Sequence, residues 1–306
     1  MDTKVSHAAA ELRRLGLLSC TGDEAREFLH AQLTSDVLGL AQDRARNAGW
    51  CSAKGRLLAN FLVVPQAGGF FLQLSRDIAP AVAKRLSMFI LRAKAKLVDA
   101  SEAWVQVGLW GPQAAGRLAA LGFAVPEADL ALGRAADVTV VRISGQRFLL
   151  VAPATQRVGL LDSLGDAGDE AWALDEIRAG RPLVVQATQD LFVPQMVNLE
   201  RLGAVDFKKG CYPGQEIVAR TQYRGVLKRR MVRAGVAAPA APGNDLYADN
   251  LPGQASGTVV NAVPGADGRT ELLAVVQIGS LESASPIRLG TADGPQLELL
   301  PLPYAA

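Results

Sequence analysis

The spacing of apolar residues changes several times along the chain, and each change marks an expected element. Residues 15–19 are a short apolar run closed by Thr21-Gly22, which reads as a strand and its turn. Thr21 and Glu24 have capping-box spacing, and Phe28, Leu29 and Leu33 follow at helical intervals, so a helix is predicted there. Residues 45–52 and 56–64 predict a hairpin around Ser52-Ala53-Lys54-Gly55, and residues 70–74 a third strand after Gly68-Gly69. Asp77 is placed to cap a helix running to about residue 91, with Pro80 in its first turn. Its buried side would carry Ile78, Val82, Leu86, Phe89 and Ile90, and its wet face Arg85, Arg92, Lys94 and Lys96.

The texture then recurs. Residues 104–109 alternate as a strand, Gly111-Pro112 opens a helix through Leu121, and residues 138–143 and 147–151 form a second hairpin. Helices around 156–164 and 170–179 complete the unit, and the recurrence suggests two related modules although no sequence repeat is visible. Residues 183–216 are loop-rich. Gln186, Gln189, Gln195, Asn198 and Gln215 there suggest a ligand-facing wall, since an amide offers donor and acceptor at once. Beyond an Ala/Pro-rich stretch at 237–243, short β-like runs at 257–262, 272–278, 286–289 and 297–300 predict a small all-β barrel or sandwich. The expected fold class is α+β: a core of two related α+β modules over 1–225, then a C-terminal β-barrel domain over 226–306.

With 306 residues, 49% hydrophobic and 20% charged, the chain can bury a large core. A net charge of +2 is too small for a generic nucleic-acid coat, so such a partner needs a local patch. Residues 220–233 offer one: Arg220, Arg224, Lys228, Arg229, Arg230 and Arg233, with Tyr223 among them and no acid. The alternative is a strand whose charges are solvated while Val226, Leu227, Met231 and Val232 point inward. Three cysteines without Cys-x-x-Cys spacing argue against a disulfide framework, and two histidines against a closed zinc site, so no metal site is expected. Nor do three thiols supply the four ligands of a 4Fe–4S cluster. No run nears the ~20 apolar residues that span a bilayer, and no apolar leader or coiled-coil pattern is visible. A cytoplasmic monomer without membrane contact is expected.

One stretch organises the rest: Asp206-Phe207-Lys208-Lys209-Gly210-Cys211-Tyr212-Pro213-Gly214-Gln215-Glu216, with Arg220 following. Gly210 and Gly214 permit backbone angles that a β-carbon forbids, and Pro213 stiffens the chain between them. Cations beside Cys211 favour its thiolate, which makes it a candidate nucleophile or soft-metal ligand. The plain alternative is an inert packing cysteine in a turn.

Lys209-Gly210-Cys211-Tyr212, continuing to Gly214-Gln215-Glu216, closely resembles the signature of the YgfZ family, as do residues 192–200 before it and Tyr223-Arg224-Gly225 after it. Residues 32–37, Ala53-Lys54-Gly55-Arg56 and Pro301-Leu302-Pro303-Tyr304 extend the likeness over nearly the whole chain. That family consists of bacterial folate-binding proteins tied to iron–sulfur cluster maturation and tRNA modification, and it is similar to the glycine-cleavage T-protein. The resemblance implies a T-protein-like fold and a tetrahydrofolate pocket, with Trp172, Gln195, Asn198, Tyr223 and Arg224 beside the ligand. It also implies that Lys208, Lys209, Gly210, Tyr212, Gly214, Gln215, Glu216 and Arg220 frame Cys211 as the chemical group.

Three places depart from the pattern. Leu15 stands about where the family has a folate-side aromatic, and Arg178 where relatives often show a Glu, with Glu176 nearby. The hairpin stretch Gly55-Arg56-Leu57-Leu58-Ala59-Asn60 is without the acid on which the T-protein looks to rely. The functional expectation is a folate-binding accessory protein, not a classical enzyme. It would assist assembly or repair of 4Fe–4S clusters in radical tRNA-modifying enzymes through Cys211. Two alternatives stay open: a folate-dependent aminomethyl transferase, and a non-enzymatic tRNA- or protein-binding module using residues 220–233.

Overall fold

The computed structural model describes residues 7–225, 227–265 and 268–304. Strands β1 (Ala8–Glu11) and β2 (Leu15–Thr21) precede helix α1 (Ala25–Gln32). Strands β3 (Arg46–Cys51), β4 (Leu57–Gln66) and β5 (Gly69–Ser75) lead to α2 (Ala79–Ser87) and β6 (Lys96–Asp99). Next come β7 (Trp104–Trp110), α3 (Ala114–Ala120), β8 (Leu132–Ala135), β9 (Val138–Ser144) and β10 (Arg147–Pro153). Helices α4 (Arg157–Leu164) and α5 (Asp169–Arg178) follow. After two short 3-10 turns the chain forms α6 (Gln215–Tyr223), β11 (Arg229–Val236), β12 (Asp245–Ala248) and β13 (Gly257–Pro264). It ends with β14 (Thr270–Gln277), α7 (Ile278–Glu282), β15 (Ile287–Leu289) and β16 (Glu298–Leu300).

Two five-stranded sheets, ordered β3-β4-β5-β2-β6 and β1-β7-β10-β9-β8, are the two sheet-and-helix modules that the strand–hairpin–helix recurrence predicts. The second sheet is apolar on both faces. Along β10, Phe148 and Leu150 enter one cluster with Leu118 of α3 and Leu160 of α4. Leu149 and Val151 enter the opposite cluster with Leu17, Phe71 and Trp172. Burial on both sides explains why this strand reads as a continuous apolar run. The expected C-terminal barrel is a six-stranded sheet, β15-β12-β13-β14-β11-β16, curled as a half-barrel over its own apolar cluster.

The chain divides into two compact units. One comprises Met1–His30, Asp36–Asn47 and Phe61–Trp172; the other comprises Ala31–Ser35, Ala48–Asn60 and Ala173–Ala306. Strands β11 to β16 and the Cys211 motif lie in the second.

Some local expectations give way. Thr21 ends β2 and α1 starts only at Ala25, so the capping box does not form; the Glu24 carboxylate instead accepts the Lys94 N–H. Asp77 accepts from the Ser75 hydroxyl at 2.7 Å, and the N-cap of α2 is Ile78, without a side-chain cap. Helix α2 stops at Ser87 rather than near residue 91, because the N–H groups of Met88, Phe89 and Ile90 turn back to carbonyls three residues earlier. Phe89, expected on the buried side, is 46% exposed. Val226, expected to face inward, lies outside the described residues.

Candidate functional site around Cys211

The Cys211 turn is anchored at its start by Asp206. Its backbone N–H donates to the Thr34 carbonyl at 2.9 Å, and its Oδ1 accepts the N–H groups of Lys208 and Lys209 at 2.7 and 3.2 Å. This is the Asx-turn chemistry expected of an aspartate opening a loop. Lys209 then reaches back: its Nζ donates to the Leu33 carbonyl at 2.9 Å and lies 4.9 Å from the centroid of the Tyr212 ring. Tyr212 is buried, and burial, followed by Cys51 and Asp206 nearby, pushes its hydroxyl above the ordinary phenol range. Between two fixed neighbours, Cys211 is exposed. Cys20 and Cys51 are buried, and burial pushes both thiols up to about 12. Among three cysteines, Cys211 alone meets solvent.

The far end of the turn is set by Gly214, the N-cap of α6, at φ +78. A β-carbon there would meet the Ser52 carbonyl oxygen at 2.4 Å and the Gly55 Cα at 2.6 Å. Gly55, at φ +68, has equally little room: its β-carbon would lie 2.8 Å from that of Ile217. The β3–β4 hairpin turn therefore packs backbone to backbone against the cysteine motif, and two sequence-remote glycines make that approach sterically feasible. Lys54 and Arg56 of the hairpin are exposed, as are Lys208, Glu216 and Arg220. Glu216 stands in the first turn of α6, where a carboxylate complements the helix N-terminus. Gln215 begins the helix, its N–H donating to the Tyr212 carbonyl at 3.2 Å. Sequence reading missed α6 altogether, although a glycine followed by an acidic first turn is a helix-start signal.

The residues assigned to folate fall in both units. Trp172, in the first unit, is 4% exposed; the Arg147 guanidinium lies 4.7 Å from its ring centroid and Trp110 packs edgewise at 5.5 Å. A β-carbon on Gly108 would meet that indole at 2.4 Å, so the ring rests directly on the strand backbone. In the second unit, Gln195 is buried and donates to the Val218 carbonyl at 2.8 Å. Asn198, at φ +59, donates to the Met231 carbonyl at 3.2 Å and accepts from Arg230 at 2.9 Å. Gln189 likewise donates to the Leu58 carbonyl at 2.7 Å. These amides staple the long loop to strands and helix. Tyr223 and Arg224 do face solvent, with Phe207 edge-on to Tyr223 at 5.9 Å.

The basic stretch is partly neutralised by distant acids. Arg230 pairs with Glu200 at 2.6 Å, and Arg233 with Glu271 at 3.5 Å. Arg220, Arg224 and Lys228 remain exposed. Arg178 donates to Glu271 from Nε and Nη2 at 3.0 and 2.6 Å, while Glu176 pairs with Arg181 at 3.1 Å. Asn60 uses both ends of its amide, donating to the Pro182 carbonyl at 2.9 Å and accepting the Val184 N–H at 2.7 Å. A carboxylate there would lose the donor. Among the described residues no cluster of three or more His, Cys, Asp or Glu side chains is arranged to hold a metal, and no helix is long and apolar enough to cross a membrane.

Comparison with known proteins places this geometry in context. No family model matches the chain. The tRNA-modifying protein YgfZ of Vibrio vulnificus (strain CMCP6) is 33% identical over 305 residues, covering 97% of this chain and 92% of that protein. Its counterparts are 33% identical over 304 residues in Edwardsiella ictaluri and 31% over 300 in Shigella dysenteriae, each covering 94% of this chain and about nine-tenths of the relative. The crystal structure of the glycine cleavage system aminomethyltransferase T from Bartonella henselae superposes with a TM-score of 0.76 at 18% identity, covering 96% of this chain and 85% of that one. The fold is that of the T-protein.

Proposed function

Since the chain belongs to the YgfZ family of tRNA-modifying proteins, we propose that it is a cytoplasmic accessory protein that assists assembly or repair of 4Fe–4S clusters, and through them tRNA modification, by way of Cys211. The observation that carries this reading is the exposed thiol held in a turn fixed on both sides, in a stretch that also exposes Lys208 and Arg220. Cluster iron is the cargo. On binding iron, Cys211 gives its proton to solvent and its sulfur takes one coordination position. One thiolate does not complete a cluster, so the remaining ligands come from a partner iron–sulfur protein.

Tetrahydrofolate is the ligand implied by the resemblance. As a set, the five residues assigned to it do not fit a pocket, because Trp172, Gln195 and Asn198 are engaged within the protein and only Tyr223 and Arg224 are open. Folate therefore enters this reading as a bound ligand only, with no step routed through it. Aminomethyl transfer is not favoured, since the hairpin stretch from Gly55 to Asn60 carries no acid and the Asn60 amide is engaged at both ends. Of the six cations a tRNA-binding role for residues 220–233 would use, Arg230 and Arg233 are paired with acids, Arg229 is half-buried, and Arg220, Arg224 and Lys228 are exposed.

The test replaces Cys211 with Ser in cells lacking their own copy, and follows a radical iron–sulfur tRNA-modifying enzyme. Loss of that activity at unchanged protein abundance is expected, and calorimetric titration of the same variant with tetrahydrofolate should match wild type. Activity that survives the substitution sinks the cluster role, and no heat of binding in either protein sinks the folate one.

A further inference from the structure

The segment after α2 shows apolar side chains to solvent more densely than any other among the described residues. Met88 is 62%, Phe89 46% and Leu91 91% exposed, whereas the other large exposed apolar residues are scattered singly. The segment is held in place: the Phe89 N–H donates to the Leu86 carbonyl at 3.1 Å and the Ala93 N–H to that of Ile90 at 2.7 Å. Leu91 sits at φ +26, a conformation rare for a residue with a β-carbon. Hydrogen-bonded backbone thus holds a leucine in water, and exposed apolar side chains gathered in one short segment point to an interaction site. Between Asp77 and Asp99 the chain has no acid and carries Lys84, Arg85, Arg92, Lys94 and Lys96. Asp99 closes β6 and the Glu24 carboxylate accepts the Lys94 N–H, so the surroundings are cationic in balance rather than free of acids. Strand β6 begins at Lys96 and is the last strand of its sheet, with Val98 40% exposed.

We infer that this knob and the free edge of β6 dock a partner protein whose surface offers an apolar groove rimmed by carboxylates. The charge balance selects that partner. A second copy in an isologous contact would set two cationic rims face to face. RNA phosphates would suit the lysines, but would leave Met88 and Leu91 against a wet, charged backbone. An anionic bilayer would take the apolar tip and the cations, but has no use for the backbone N–H and C=O groups along a strand edge, which another polypeptide can pair. The inference rests on the proposed function and deepens it, since a single thiol must meet its cluster on a partner.

The experiment uses the full chain and a purified radical iron–sulfur tRNA-modifying enzyme as probe. Wild type should bind it. Leu91→Asp combined with Phe89→Ser should weaken binding at least tenfold, and Lys84→Glu combined with Lys94→Glu should weaken it with a flatter salt dependence. All four substituted positions are exposed, so the fold should survive. Unchanged affinity in the knob variants, or no binding by wild type, overturns the docking surface. So does wild-type binding to phosphatidylglycerol vesicles that the knob variants lose. Cells that keep tRNA modification with the knob variants but lose it with Cys211→Ser leave the cluster role standing and remove only the docking site.

Discussion

At the residue scale, the chemistry turns on one exposed thiol and two protected ones. Cys211 should react with a small disulfide reagent in the native protein as a single fast equivalent, and all three thiols only after denaturation. The buried pair also sets an alkaline limit. Cys20 and Cys51 ionise at about 12 in the fold against 9.0 in an unperturbed thiol. Above pH 9 the unfolded chain therefore binds fewer protons than the native one, and stability falls as pH rises from about 9 to 12. Tyr212 and Tyr304, raised by burial, act in the same direction. Denaturant titrations at pH 8 and 10.5 should differ on the order of a few kcal/mol. Replacing both buried cysteines with Ala should shrink that difference, although the vacated volume lowers stability at every pH.

At the element scale, the start of α6 and the β3–β4 turn share one close contact through Gly214 and Gly55. Gly214→Ala combines a left-handed backbone, costing roughly 1–2 kcal/mol, with a β-carbon 2.4 Å from the Ser52 oxygen. Gly122 offers a control, since its φ of +80 matches that of Gly214 while nothing lies within 4 Å of its β-carbon. Urea unfolding of the two alanine variants should show the larger loss for Gly214, and their difference measures the hairpin contact. Equal losses would mean that the hairpin yields freely and does not position Cys211.

At the scale of the whole molecule, sequence order and compactness diverge. The second unit takes Ala31–Ser35 and Ala48–Asn60 from early in the chain. Those pieces supply the Thr34 hydroxyl to the Ala204 carbonyl at 2.5 Å and the Leu57 N–H to the Phe192 carbonyl at 2.8 Å. A fragment of residues 173–306 lacks both segments. It should keep β11 to β16 yet lose order in the Cys211 loop, which limited proteolysis would detect as rapid cleavage between 183 and 216 that the full chain resists. Protection of that loop in the fragment would show that the early segments are dispensable.

The sequence by itself determined most element types, though not α6, together with the C-terminal all-β region and the Cys211 turn, because apolar period, glycine placement and motif wording are local properties of the chain. The tertiary structure decided the rest. Arg230 and Arg233 look like a free cationic face until Glu200 and Glu271 arrive from remote segments. Trp172 looks like a stacking platform until Gly108 and Arg147 cover its ring. Phe89 looks like a core residue until α2 ends two positions earlier. In each case a side chain's role depends on which distant group reaches it first, and no window of neighbouring residues contains that information.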